Sequence, residues 1–452
     1  MQTILPAYAL TMHILGKQKR KDVPYRFSHF CVRCPAEGGT LLLNTLTLQL
    51  VFLEDGEPFP EDALIEDWFL VPEAHDDNAL SRQVRGVLKL MQPAPERISQ
   101  FVIFTTSDCN ARCFYCFEAG WRRVPMTQDT AEKAASFILR TCKGKPVHLS
   151  WFGGEPMLGA DVIDTISTRL QEADVPYRSK MTTNLSLFTP ELADRAVSLW
   201  HLDRLQVTLD GTHDVYNRIK AYADKSYDAY ARVMENIGLL LDRGVRVSVR
   251  LNMDLHNADD LFALVRELAS RFPDRGLQVS PALLFEGTSE HPALRSEAAR
   301  DELFRKMQAL LELIRALKLG HPARLSRRLK LNMCYADSGQ AVTIRPDGTL
   351  GVCEHDLTGD QVGTVLDPEP DRAAMATYHA LQEELPECAA CPFYPSCIRL
   401  AHCEPKRLCR AQERALRLSQ LQQQMLLEYE EYLHPSHTSA PDETETVLEE
   451  IT

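Results

Sequence analysis

The stretch Thr105-Thr106-Ser107-Asp108-Cys109-Asn110-Ala111-Arg112-Cys113-Phe114-Tyr115-Cys116-Phe117 carries three thiols in a C-x3-C-x2-C run. Thiolates spaced this closely can close on one metal centre, and three of them leave a four-iron cluster with one iron lacking a protein ligand. An open iron is a place for chemistry. A structural zinc site is the plainer reading, but it wants a fourth ligand and usually pairs two C-x2-C knuckles. Cys142 and His148 are too far along the chain to settle that choice. An apolar, strand-like run, Phe101 to Thr106, leads into the thiols. A second, Val147 to Phe152, closes on Gly153-Gly154-Glu155-Pro156.

These two motifs in this order resemble those of the radical S-adenosylmethionine (SAM) enzymes: C-x3-C-x-aromatic-C after one strand, then a GGE segment after the next. The resemblance implies that Cys109, Cys113 and Cys116 ligate a 4Fe–4S cluster whose open iron is chelated by the amino and carboxylate groups of SAM. An electron from the cluster then cleaves the sulfonium to a 5'-deoxyadenosyl radical.

At 452 residues the chain has room for two to four domains. A formal net charge of −13 argues against nucleic-acid or anionic-membrane partners. Only Lys17 to Lys21 and Arg324 to Lys330 offset it, as short basic runs. The apolar stretch Ile4 to Leu15 has its basic residues after it and no small-residue cleavage site, so it does not read as a secretion signal. The chain has thirteen cysteines, and their clustering at metal-type spacings in a large chain reads as metal ligation in a reducing compartment, so the expected location is cytoplasmic. No apolar run approaches bilayer length.

Residues 1–95 differ in pattern from the rest of the chain. Thr40 to Leu53 reads as a strand, a turn at Asn44-Thr45 and a second apolar element, followed by helical stretches over Glu61 to Phe69 and Asn78 to Met91. This order is similar to the small winged-helix-like modules that hold the leader peptide in maturases of ribosomally made peptides, and a free strand edge is suited to that work. A plain cap on the next domain is the alternative. Cys31 and Cys34 are expected to be unligated, since no second pair lies nearby.

Over 96–300, short strand-like runs alternate with amphipathic helices, the pattern of a parallel sheet. The runs are Phe101 to Thr106, Val147 to Phe152, Arg178 to Thr183, Arg204 to Leu209, Arg246 to Leu251 and Leu277 to Leu283. Six such units make an incomplete barrel, whose ligand-binding groups gather at the C-terminal strand ends. Gly153 and Gly154 allow close backbone approach, and Glu155 can accept from an ammonium or simply cap a turn. The resemblance implies SAM-binding roles for Thr183 and Asn184, for Thr208 and Asp210 with the downstream Arg218, and for Asn252. It places Tyr115 by the adenine. The family often has His-Asp before the arginine, whereas Tyr216-Asn217 stands here.

A linking helix over 301–330 leads to a second cysteine-rich region, 331–410. Cys334, Gly348 and Cys353 are followed by Cys388-x2-Cys391-x5-Cys397-x5-Cys403-x5-Cys409. Seven cysteines exceed the four ligands of one zinc. The region resembles the SPASM domain of peptide-modifying radical SAM enzymes, although five residues rather than three separate Cys397 from Cys403. That resemblance implies one auxiliary cluster on Cys388, Cys391, Cys397 and Cys409 and another on Cys334, Cys353 and Cys403. Two fully ligated clusters need eight thiolates, so one auxiliary iron is left to an open site or to His355, His379 or His402. Glu354 and Asp356 follow Cys353 as candidates for moving a proton. A glutamine-rich helix over 411–433 and an acidic, disordered tail over 434–452 complete the chain.

The expectation is an α/β protein: a partial (β/α)6 barrel with an N-terminal winged-helix-like module and a C-terminal SPASM domain. Its cofactors would be SAM and three 4Fe–4S clusters, and its partners a precursor peptide and an electron donor such as flavodoxin or ferredoxin. The expected reaction is thioether or carbon–carbon crosslinking of that peptide. The alternatives are a formylglycine-generating sulfatase maturase and a non-enzymatic iron–sulfur carrier.

Overall fold

The computed structural model describes all residues except 93–94, 285–295, 321–323, 333, 356–360, 398–399, 404–408, 410 and 436–452. Asp356 and the acidic tail from residue 436 on lie outside the described residues. The chain divides into two compact units. One comprises Met1–Ala94, Pro322–Asp337 and Ala380–Thr452, the other Pro95–His321 and Ser338–His379.

In the first unit the N-terminal apolar stretch splits into strand β1 (Gln2–Leu5) and helix α1 (Ala9–Leu15). Then come β2 (Tyr25–Phe27), β3 (Cys31–Ala36), β4 (Gly39–Asn44), β5 (Leu50–Glu54), α2 (Glu61–Glu66), β6 (Leu70–Pro72) and α3 (Asp77–Met91). Four strands form an antiparallel sheet in the order β1-β5-β4-β3, and β2 pairs with β6. The unbroken run Leu41-Leu42-Leu43 is buried throughout because both faces of β4 are covered. Leu41 and Leu43 belong to one apolar cluster, while Leu42 joins Leu64, Ile65 and Phe69 in another. The same alternation puts Cys34 in the first cluster and Cys31 against the second, so the two thiols point to opposite faces of β3 and cannot share a metal.

The second unit is built on a nine-stranded sheet in the order β12-β11-β10-β9-β8-β7-β13-β14-β15. Its first six β/α steps are β7 (Gln100–Thr106) with α4 (Gln128–Cys142), β8 (Val147–Gly153) with α5 (Ala160–Glu172), β9 (Tyr177–Thr183) with α6 (Pro190–Ser198), β10 (Leu202–Thr208) with α7 (His213–Lys220) and α8 (Ala229–Leu241), β11 (Arg246–Met253) with α9 (Ala258–Arg271), and β12 (Gln278–Leu283) with α10 (Glu297–Ala316). All six strands are parallel and sequential neighbours, which is the expected partial (β/α)6 arrangement. Side-chain oxygens of Thr127, Thr189, Asp228 and Ser296 cap α4, α6, α8 and α10, satisfying amides that the first helical turn leaves open. The short helix α7 precedes α8 between β10 and β11 and was not among the expected elements.

Beyond α10, β13 (Ala341–Ile344) adds in parallel to β7, and β14 (Thr349–Gly351) and β15 (Gly363–Thr364) extend the sheet antiparallel before α11 (Arg372–Thr377). Gly348, at φ +84°, makes the turn between β13 and β14. The chain then returns to the first unit and ends its described part in α12 (Ala411–Leu433). This helix lays Met425 and Tyr429 into the cluster formed by Leu41, Leu43, Leu50 and Phe52. Tyr429 stacks on Phe52 with ring centres 4.7 Å apart.

Candidate functional site

Strand β7 ends in two buried threonines, Thr105 and Thr106, and opens into the three-cysteine loop. The base of the loop is closed by Ser107, whose N–H donates to the Val124 carbonyl at 3.0 Å and whose hydroxyl donates to that of Arg122 at 2.8 Å. Inside, the Cys116 N–H turns back to the Cys113 carbonyl. Burial, then the carboxylate of Glu155 and the thiols of Cys113 and Cys116, push the Cys109 thiol up to about 12. Burial raises Cys113 and Cys116 as well. The thiols thus sit within each other's fields in a half-buried loop, and a metal taking them must displace protons.

Strand β8 reaches this loop through Gly153 and Gly154. Gly153 has φ +115°, and a Cβ there would run into the Thr106 carbonyl. The Gly154 N–H donates to that carbonyl, and the Glu155 N–H to the Asp108 carbonyl. Glu155 is fully buried. Its Oε1 accepts from the Thr183 hydroxyl at 2.6 Å and the Met157 N–H at 3.1 Å, and Oε2 from the Asn184 N–H at 2.8 Å. Four acceptor directions meet three donors, which leaves Oε2 one further acceptor direction. Asn184 continues the network: its side-chain amide donates to Asn110 Oδ1 at 2.7 Å and lies 3.9 Å from Cys109 Sγ.

The end of β10 carries a buried polar cluster. Asp210 Oδ2 accepts from the Tyr115 hydroxyl at 2.7 Å and pairs with Lys220 Nζ at 2.9 Å. Lys220 also donates to the Tyr115 oxygen at 2.8 Å and to Thr208 Oγ1 at 2.6 Å. Burial opposes the Lys220 charge most strongly of any single cause, but Asp210 together with Tyr115, Cys113 and Tyr216 outweighs it and holds the ammonium well above its ordinary range. Asn252 Oδ1 accepts from Arg250 Nε at 2.9 Å, and Asn257 ties β10 to β11 by donating to the carbonyls of Asp210 and Asn252.

The structure therefore brings together Cys109, Cys113, Cys116, Tyr115, Gly153, Gly154, Glu155, Thr183, Asn184, Thr208 and Asp210, with Asn252 beside them on β11. Arg218 lies exposed on α7, and the cation that enters the cluster is Lys220 from the same helix. Nothing in the sequence separated Lys220 from a solvated lysine. Glu354 is half-buried next to His355, whose ring centre is 4.6 Å from that of Phe117, so the Cys353–Glu354 segment stands beside the cysteine loop.

In the first unit, burial and then the thiols of Cys397, Cys409 and Cys388 raise Cys391, so those three lie close enough to act on it. Cys334 and Cys403 belong to this unit and Cys353 to the other. Among the described residues, no three His, Cys, Asp or Glu side chains are gathered tightly enough to hold a single metal ion. A four-iron cluster asks for something looser, because each thiolate binds a different iron. In donor chemistry, three thiols in the loop and four around Cys391, both cysteine sets suit that demand.

Residues 103–268 match the Radical SAM superfamily model. The domain at the centre of the second unit is thus a radical SAM domain, which implies a 4Fe–4S cluster and marks the chain as an enzyme. The chain is 27% identical over 173 residues to the AdoMet-dependent heme synthase of Methanosarcina barkeri (strain Fusaro / DSM 804), covering 36% of this chain and 46% of that protein. It is 31% identical over 161 residues to the Probable GTP 3',8-cyclase of Methanocella arvoryzae (strain DSM 22066 / NBRC 105507 / MRE50), covering 35% and 48%. The chain spans about half the length of these curated relatives. Native anSMEcpe with bound AdoMet and Cp18Cys peptide shares the fold at a TM-score of 0.54 and 13% identity, over 78% of this chain and 100% of that one. No described helix is long and apolar enough to cross a membrane.

Proposed function

We propose that the chain is a radical SAM maturase that crosslinks a ribosomally made precursor peptide. The observation that carries this reading is the second cysteine set. Cys391 sits among Cys388, Cys397 and Cys409, in the same unit as the four-stranded N-terminal sheet. A SAM-cleaving domain alone has no need of it, whereas oxidation of a peptide has to pass electrons on. The fold likeness to anSMEcpe with a bound peptide is consistent with a peptide substrate.

In this reading Cys109, Cys113 and Cys116 hold the SAM-binding cluster. Cys388, Cys391, Cys397 and Cys409 hold one auxiliary cluster, and Cys334, Cys353 and Cys403 the other. With SAM bound, the first cluster supplies a 5'-deoxyadenosyl radical that takes a hydrogen atom from the peptide. Gly153 and Gly154 bring the main chain of β8 onto the cysteine loop, and Glu155 offers its remaining acceptor direction to the SAM ammonium. Thr183, Asn184, Thr208, Asp210, Asn252 and Tyr115 complete the SAM site, and Glu354 and Asp356 take the proton released on oxidation. Among the described residues no strand pairs with the outer edge of β3, which suits it to receive a leader peptide as an added strand. A flavodoxin or ferredoxin supplies the reducing electron.

The test is anaerobic incubation of reconstituted protein with SAM, a reductant and a short cysteine-bearing peptide encoded beside its gene. Loss of two hydrogens with a crosslink in the fragment spectra supports the proposal. An aldehyde at a single residue favours the sulfatase-maturation reading instead. SAM cleavage with the peptide left intact rejects that peptide as substrate.

A further inference from the structure

A lysine in the last turn of a short surface helix ordinarily reaches into water. Lys220, at the end of α7, is 2% exposed, and its partner Asp210 is fully buried. The chain around it grips the cysteine loop at three points. Arg112 donates its N–H to the Lys220 carbonyl at 2.8 Å, and Ala223 donates its N–H to the Asn110 carbonyl at 2.9 Å. The third point is the Lys220 ammonium on the Tyr115 hydroxyl at 2.8 Å.

These positions interleave with the thiols. Asn110 and Arg112 lie between Cys109 and Cys113, and Tyr115 lies between Cys113 and Cys116. Main-chain bonds tie the first span to the α7 segment, whereas the second, beyond its own turn from the Cys116 N–H to the Cys113 carbonyl, is tied there by the side chains of Lys220 and Asp210. We infer that Lys220 is a positioning residue: paired with Asp210, it fixes the Cys113–Cys116 span at the mouth of the barrel and so sets how the loop presents its cluster to SAM. This inference rests on the reading that the loop holds the SAM-binding cluster.

The chemistry favours a positioning role for this pair over simple packing. A buried ammonium and carboxylate add little net stability compared with apolar side chains of the same volume, and their return is a fixed geometry. Here that geometry has a direction. Asp210 Oδ2 accepts from the Tyr115 hydroxyl and pairs with the Lys220 ammonium, while Asp210 Oδ1 is buried without a hydrogen-bond partner. Removing the ammonium would leave the carboxylate with Tyr115 alone and free the loop to shift.

The experiment compares Lys220→Met, Lys220→Arg and Tyr115→Phe with the parent, each as the full chain reconstituted anaerobically. The readouts are iron content, the dissociation constant for SAM, and the change SAM causes in the electron paramagnetic resonance spectrum of the reduced protein. Lys220→Met and Tyr115→Phe are expected to keep the parent's iron while binding SAM about tenfold more weakly and losing the SAM-induced spectral change. Lys220→Arg is expected to restore most of both. Parent-like SAM affinity and spectra in Lys220→Met and Tyr115→Phe overturn the inference. If Lys220→Met fails to fold, Lys220→Gln takes its place: it keeps a polar donor at this position and removes the charge that pairs with Asp210, and parent-like SAM affinity and spectra in it overturn the inference. A parent that takes up no iron and binds no SAM removes the cluster reading itself, and the inference with it.

Discussion

Gly154 lies flat against the carbonyl group of Asp108: a Cβ on Gly154 would stand 2.6 Å from that carbonyl carbon and 3.1 Å from the Cys109 amide nitrogen. The end of one barrel strand is thus the mould for the start of the cysteine loop. Gly154→Ala is expected to push the loop away, costing roughly 1–3 kcal/mol as overpacked sites do, and to lower iron uptake at the loop. Denaturant unfolding and iron analysis check this. Parent values in both would show that the loop does not depend on the contact.

Replacing Cys109, Cys113 and Cys116 together by alanine is expected to remove about four of about twelve irons, given three four-iron clusters. Formation of 5'-deoxyadenosine should cease while the auxiliary iron remains. Continued reductive cleavage of SAM by the triple variant would refute the assignment of these thiols.

Met425 is fully buried under the N-terminal sheet. Met425→Ala is expected to destabilise the first unit by about 2–5 kcal/mol, the usual range for emptying a buried methionine site. Hydrogen exchange should quicken in β3 and β4. Unchanged protection there would mean that α12 contributes nothing to the sheet.

His148, at the start of β8, has its pKa lowered from 6.5, chiefly by burial. A depressed imidazole binds its proton less readily in the folded chain than in the unfolded one. Its contribution to stability is whole above the unfolded value and is lost as pH falls through the folded one. His148→Gln should therefore narrow the drop in unfolding free energy between about pH 7 and pH 5. Parallel pH profiles for parent and variant would contradict this.

Of the six parallel strands, β7 was legible as an unbroken apolar run buried on both faces, and β10 and β11 as alternations of apolar and polar residues with one face buried. Strand β9, with Met181 as its one aliphatic core residue between Arg178 and Thr183, was legible from its place between two helices. The cysteine sets were legible from spacing. Helix α7 was not: its eight residues follow Gly211 and are mostly polar, so tertiary contacts through Tyr216 and Lys220, rather than periodicity, hold it. Lys220 was invisible for the same reason, since only the fold places Asp210 and Tyr115 around it. The alternation along β3 does separate Cys31 from Cys34, but only once the strand is known to run through both. For residues 411–433 the pattern showed an apolar helix face and could not name Leu41, Leu43 and Phe52 as its partners, because that contact joins distant parts of the chain.

The docking of α12 on the N-terminal sheet also sets a timetable. Strands β3, β4 and β5 end at Glu54, and the helix that covers one of their faces begins only at Ala411. At typical elongation rates of about 5–20 residues per second, that face waits roughly 20–70 s for its cover. The sheet of the first unit is thus made well before the helix that completes it. A nascent chain stalled before Ala411 would present Leu41, Leu43 and Phe52 uncovered, as an apolar face open to chaperones.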